Sequence, residues 1–520
     1  MKPIINLSRN IVILCLCLIA LACLHCRRRG DRASAHESKI TLLCMYDDEY
    51  EYAVFRDGQG THFLMFIPLV DKDEEGQPHP RLLERWEHSN DYTEWTFYLR
   101  KDVKWHDGKP VTAHDVKFTL ELITDPNIMY QYRVFEEITV IDSFTCHIRS
   151  NRPFNPLELY DWYGICPKHL LEGLKTEKFY SWEFWTRPVG NGPYRYVRHV
   201  PKTMVELEAN PDYYGGKPKE IERVVLKFGK NPLIELMSGN VDAVNGLPAL
   251  EAVKIAKDSR FNMYHGFNFK TVFAIIWNHQ NDLFRNPAVR RALTLAINRR
   301  ELHGVLNFPD NIPIFDVPIT KGLFHRGELP APLPYDPEQA KRLFDEAGWF
   351  EVKKDGVREN NGREFRFSLL VRQEETLGAV YIQDQFRKVG IRMEIVTVDR
   401  SVLMARWRSR EFDAMLFHNQ LHNYKGYFGG YDNPEFRRLL ETAYWAPTPD
   451  EQDIAVRKLW PIYSTDVPMT ILYPIVRLNI VHRRIRGLKS PNRADPARFM
   501  ERLWIEEESR EPEEQNNKKE

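Results

Sequence analysis

The residues of this chain that most invite a chemical reading are His418-Asn419-Gln420-Leu421-His422. Two imidazoles four apart on a helix share one face and could hold a metal ion, as in zinc proteases. Hydrolysis by such a pair needs a glutamate after the first histidine, as proton acceptor for the metal-bound water. Asn419 stands there instead. The segment also follows a strand-forming run and leads into Tyr424-Lys425-Gly426-Tyr427, which reads as loop rather than helix. Nowhere does the chain carry a G-x-S-x-G elbow or an H-E-x-x-H pair.

A second candidate is Pro188-Val189-Gly190-Asn191-Gly192-Pro193-Tyr194, where two glycines flank one polar residue. Such a loop permits backbone angles and close approaches that a side chain would forbid. It lacks the Lys-Ser/Thr of a phosphate-binding loop and the third glycine of a dinucleotide fingerprint, so neither ligand is indicated.

Composition narrows the class further. The chain has 520 residues, 43% hydrophobic and 12% aromatic, enough for about three domains with a large core. Lys plus Arg and Asp plus Glu both number 73, so there is no basic excess of the kind that nucleic-acid binders carry.

The first 33 residues are a leader. Lys2 and Arg9 precede an apolar run from Ile11 to Leu24, the length of a signal-peptide core and short for a membrane span. The run ends Ala20-Leu21-Ala22-Cys23, similar to a bacterial lipobox that would make Cys23 the lipidated N-terminus. An uncleaved N-terminal anchor is the alternative. Either places the body of the protein outside the cytoplasmic membrane, on its periplasmic or extracellular face. Four of the seven cysteines lie here. Cys44, Cys146 and Cys166 remain, an odd number; Cys146 with Cys166 as a disulfide and three isolated buried thiols are equal readings.

The elements that must position any site are legible in part. Trp95, Phe97 and Leu99 alternate as in a half-buried strand. Thr112 with Asp115 makes a capping-box-like start to a helix carrying Val116, Leu120 and Ile123. Ile40–Met45, Ile138–Ile148 and Glu222–Phe228 read as strands, the middle one with a turn. Phe273 to Asn278 reads as a short apolar strand. Asn286-Pro287 and Asp336-Pro337 open helices with buried stripes Val289/Leu293/Ala296/Ile297 and Leu343/Phe344/Ala347. Strands 365–371, 391–398 and 412–417 alternate with helices around Ala379–Val389 and Val402–Arg408, an order that argues for parallel α/β layers. Two further helices, 434–444 and 451–463, precede an apolar stretch from Ile471 to Val481.

One stretch says more than its periodicity. Trp105-His106-Asp107-Gly108-Lys109-Pro110-Val111-Thr112-Ala113, continuing through Asp115, Val116 and Phe118, closely resembles the signature of the bacterial extracellular solute-binding proteins of family 5. The words around Gly190-Asn191-Gly192-Pro193-Tyr194, Asn210-Pro211-Asp212-Tyr213-Tyr214, Gly239 to Ala243 and Val289 to Asn298 are also similar to that family. These are the oligopeptide-, dipeptide- and nickel-binding subunits of ABC importers.

The resemblance implies an α/β fold of the periplasmic-binding-protein type II, two lobes with an extra domain inserted in the first. Lobe I would comprise residues 40–67, 188–277 and 473–505, the inserted domain 68–187 and lobe II 278–472, with residues 506–520 a disordered tail. It further implies a monomeric, non-catalytic subunit that captures a peptide or other small solute for ABC permease subunits, with no cofactor and no metal. In peptide-binding relatives the loop after residue 417 carries an acid that holds the ligand's ammonium. Between Phe417 and Tyr431 this chain has no Asp or Glu. His418, His422, Tyr424, Tyr427 and Phe428 would then line the cleft with rings, facing Asp47 and Asp48, with Asn278 where the chain crosses between lobes. A degenerate family member kept as a sensor, or a secreted hydrolase using His418 and His422, are the competing readings.

Overall fold

The computed structural model describes residues 38–44, 62–72, 77–125, 128, 134–157, 164–229, 231–247, 249–317, 327–351, 356–420, 429–488 and 500–506. Strand β1 spans Lys39–Cys44. A small antiparallel sheet follows, built from β2 (Leu83–His88), β3 (Glu94–Leu99), β4 (Phe135–Asp142) and β5 (Thr145–Ser150) in the order β2-β3-β5-β4, with helix α1 (Ala113–Ile123) beside it. Trp95, Phe97 and Leu99 of β3 are buried, as their alternation demands. At the start of α1 Asp115 accepts a hydrogen bond from the Thr112 N–H at 2.8 Å, so that a helix-end donor is satisfied.

The chain then enters the main sheet: β6 (Tyr194–Val200), β7 (Met204–Ala209), β8 (Arg223–Phe228), β9 (Ala243–Leu247) and β10 (Phe261–Trp277). Helix α2 (Pro287–Leu295) and α3 (Pro337–Glu346) precede an alternation of β11 (Arg366–Val371), α4 (Thr376–Lys388), β12 (Arg392–Thr397), α5 (Arg400–Ser409) and β13 (Ala414–Gln420). Helices α6 (Pro434–Trp445) and α7 (Pro449–Asp466) lead into β14 (Met469–His482). The helix starts repeat one device. Asn286, Asp336, Asn433 and Thr448 each accept a bond from a backbone N–H of the first turn, and a proline follows each. Ala379, Ile382 and Phe386 of α4 are fully buried, and Gly390 ends that segment at φ +81°.

Among the described residues the main sheet has ten strands, in the order β12-β11-β13-β10-β14-β9-β1-β8-β7-β6. β11 runs parallel to both β12 and β13, the arrangement that alternating strands and helices dictate. β10 and β14 form a long antiparallel ribbon from Phe261↔His482 to Ile276↔Met469, with register shifts near Asn268 and Phe273. One end of the ribbon pairs with β13 from Thr271 to Trp277, and the other pairs with β9 through Leu478, Ile480 and Val481. The ribbon therefore joins two half-sheets, each with its own core. Phe273, Ile275, Trp277, Leu369 and Phe386 belong to one, and Leu43, Val244, Phe261 and Ile480 to the other.

The strand read from Phe273 onward thus begins twelve residues earlier, at Phe261. Asn262 to Phe267 are all half-buried, so this part presents no wet face and no dry face for alternation to reveal. Cys146 and Cys166 are free and buried, the outcome in which they are isolated thiols.

The two glycine-bearing motifs clasp each other. His106 donates its backbone N–H to Gly190 O at 2.8 Å, and its Nδ1 accepts from Gly190 N–H at 3.2 Å. Nε2 then carries the proton and donates to Gly192 O at 3.1 Å. Asn191 and Gly192 both give their N–H groups to Met65 O, and Asn191 Oδ1 accepts from Ile67 N–H at 3.0 Å. A Cβ on Gly190 would stand 1.9 Å from Met65 O, which explains the bare backbone.

Candidate functional site

Where β13, β10 and β14 run side by side, their register places three rings in a row. Phe273 is opposite His418 on one side and opposite Tyr473 on the other. Directly opposed side chains on neighbouring antiparallel strands touch, and these do. Phe273 and Tyr473 stack with centroids 4.9 Å apart and planes 10° from parallel. His418 meets Phe273 edge-on at 4.9 Å. The row continues past Tyr473 to Phe308 at 4.8 Å and His303 at 6.0 Å.

Burial grades along the row. Phe273 is buried, Tyr473 half-buried and His418 exposed. His303 lies on the short helix Arg299–Val305 and pairs its Nε2 with Leu472 O at 3.0 Å. Loss of solvation pulls the His303 pKa down to about 4, helped by Arg300 and Arg299. His418 is likewise drawn to about 4, first by the bulk packed around it and then by Arg372 and Arg400. Burial raises the Tyr473 hydroxyl well above its ordinary value. At neutral pH the row therefore offers uncharged rings with neutral donors and acceptors.

A charged pair borders it. Arg372 follows β11, and its Nε donates to Glu375 Oε1 at 2.7 Å while its backbone N–H donates to Oε2 at 2.7 Å. Glu374 takes another guanidinium nitrogen at 2.8 Å. Burial raises the Glu375 pKa against the pull of Arg372. Held this way, Arg372 is neutralised by its neighbours.

Of the residues that sequence nominates, His418 is in this row. Asn278 is at the far end of β10, roughly 16 Å along the strand at about 3.3 Å per residue. Its Nδ2 donates to Phe412 O at 2.7 Å and Arg410 O at 3.1 Å, so its polar atoms hold backbone. His422, Tyr424, Tyr427, Phe428, Asp47, Asp48 and Cys23 lie outside the described residues. Sequence reasoning missed Phe273, Tyr473, His303 and Arg372 as site residues. Only Arg372 left a trace, a carboxylate three positions on in the spacing of a capping box. Among the described residues no three of His, Cys, Asp and Glu gather as a metal site would require.

The profile for bacterial extracellular solute-binding proteins, family 5 (Middle), matches residues 77–433, well over half the chain. This chain belongs to that family. The oligopeptide-binding protein AppA of Bacillus subtilis is 25% identical over 407 residues, 72% of this chain and 74% of that protein. The periplasmic oligopeptide-binding protein OppA of Haemophilus influenzae is 24% identical over 480 residues, 84% and 87% of the two chains. The crystal structure of NikZ from Campylobacter jejuni in complex with Ni(L-His) superposes with a TM-score of 0.73 at 21% identity, covering 90% of this chain and 99% of that one. The fold is mixed α/β, that of the two-lobed periplasmic binding proteins, as the sequence resemblance implied. Family members bind solutes rather than transform them. No helix among the described residues is long and apolar enough to cross a membrane.

Proposed function

We propose that this protein is the extracytoplasmic substrate-binding subunit of an ABC importer, capturing a peptide or peptide-like solute between its lobes and delivering it to the permease. The observation that carries this reading is the row His418–Phe273–Tyr473, set on the ribbon that joins the half-sheets. Two half-sheets joined by two strands can close about them, and hinge closure buries a ligand held at the joint. The lobes follow the ranges 40–67, 188–277 and 473–505 against 278–472, with 68–187 the inserted domain. His422, Tyr424, Tyr427, Phe428, Asp47 and Asp48 are the further solute contacts that the sequence nominates. Asn278 shapes the crossing instead of touching the solute.

The solute is one without a free ammonium: an N-blocked, anionic, sugar-like or chelated molecule. A buried ammonium with no carboxylate partner loses its hydration and gains nothing equivalent. Between Phe417 and Tyr431 the sequence has no acid, and Glu374 and Glu375 are already engaged by Arg372, so only Asp47, Asp48 or Glu49 of the first lobe could serve an ammonium in their place. Cys23 carries the lipid that tethers a monomeric protein to the outer face of the cell membrane. Native mass spectrometry of protein purified from its own envelope tests the reading. A co-bound molecule of low mass, displaced by an N-acetylated peptide or a metal–histidine complex, is expected. Metal-dependent peptide or ester hydrolysis that His418→Ala abolishes would contradict it.

A further inference from the structure

Trp445 ends α6, and that helix is seated in one core while its last ring packs into another. Phe436, Leu439 and Leu440 anchor α6 beneath the half-sheet that carries Val272 and Ile471. Trp445 instead packs against the core that holds the small four-stranded sheet. There it meets Phe154 edge-on at 5.7 Å, and the Arg152 guanidinium lies over its face at 4.4 Å. Two residues beyond the tryptophan, Pro447 O accepts from Asn155 Nδ2 at 3.2 Å. The receiving side is firmly held. Phe154 packs on Phe135 of β4 at 5.7 Å, and its carbonyl accepts from Trp95 Nε1 at 2.8 Å.

We propose that Trp445 is a latch between the inserted domain and lobe II, whose strength sets the balance between open and closed lobes. The proposal rests on the two-lobed capture reading above. The contacts have the chemistry of a latch, in that a ring edge, a cation over the ring face and one hydrogen bond can part without leaving a buried charge unpaired. Arg152 is exposed and Trp445 half-buried, so water can replace each partner on opening. A solute that binds only the closed form has its apparent affinity scaled by the fraction closed. Trp445 would thus tune affinity without touching the solute.

The test reads lobe separation in single full-length molecules free of solute. Dyes are coupled to azido-phenylalanine placed at Glu137 and Glu394, exposed residues of β4 and β12. Wild-type protein should show two separations in exchange. Trp445→Ala should shift the ratio toward the longer one by about tenfold, the size expected from losing an aromatic pair and a cation over a ring. Arg152→Ala, a surface change that leaves both cores intact, should shift it less in the same direction. Two separations with an unchanged ratio in Trp445→Ala would overturn the latch and leave solute capture standing. A single invariant separation in wild-type protein would overturn the latch together with the hinge on which it rests.

Discussion

Phe273 and Tyr473 lie face to face at 4.9 Å on the two strands that join the halves of the main sheet. Any movement that opens the protein about this ribbon must carry the stacked pair with it. Replacing Tyr473 by alanine removes one ring of the wall and uncovers Phe273. We expect Tyr473→Ala to weaken binding of the co-purified solute by one to two orders of magnitude, since an aromatic contact and its buried area are worth about 1–3 kcal/mol. Tyr473→Phe keeps the stack and should lose less than half of that in free energy. Calorimetry on the two variants separates the ring from the hydroxyl.

The clasp between His106 and Gly190 makes a prediction about stability. Gly190→Ala drives a methyl group to within 1.9 Å of Met65 O, where only the backbone can give way. A cost of about 3 kcal/mol is expected from such overpacking. Gly108→Ala is the control: its φ is +88° but nothing lies within 4 Å, so only backbone strain is added, roughly 1 kcal/mol. Urea unfolding should show the first variant clearly less stable than the second.

Acid should loosen the fold in a defined window. His106, His279 and His303 are all drawn to about 4, and burial is the leading cause for each. Because the folded pKa lies below the unfolded 6.5, the unfolded chain takes up protons first as pH falls. Their stabilising contribution is complete above pH 6.5, is lost between 6.5 and about 4, and does not change further below that. His303, almost wholly buried, accounts for about 3 kcal/mol by itself. His303→Gln should flatten the curve of unfolding free energy against pH over that range.

Cys146 and Cys166 should be inert. Both thiols are buried and pushed up to about 12 by loss of solvation, far from the thiolate form that reacts. Neither should react with a thiol reagent in folded protein, and reductant should leave the melting temperature of the folded domain unchanged. Both should react promptly in guanidinium chloride.

What the sequence disclosed is what depends on near neighbours. Asn286-Pro287 and Asp336-Pro337 announce helix starts because the cap, the proline and the first turn are contiguous. The buried stripe of α4 is legible for the same reason. The ribbon from Asn262 to Phe267 was hidden because its half-buried residues show no alternation. The ring row was hidden because register sets Phe273 beside both His418 and Tyr473, and register across distant strands leaves no local mark. The clasp of His106 on Gly190 is another such case. Two family-like words could be read separately, yet only the fold shows that they hold each other.

On the function proposed above, solute binds at the ring row formed by His418, Phe273 and Tyr473. A thermal-unfolding screen of wild type against Tyr473→Ala tests it most directly, with free-amine peptides, N-acetylated peptides, acidic sugars and metal–histidine chelates. A ligand at a hundred times its Kd adds about 2.7 kcal/mol of stability, a shift of a few degrees in melting temperature. We predict such a shift for one of the last three classes in wild type and its fall to about half or less in Tyr473→Ala. An equal shift in both proteins, or one produced only by free-amine peptides and lost on N-acetylation, would contradict it.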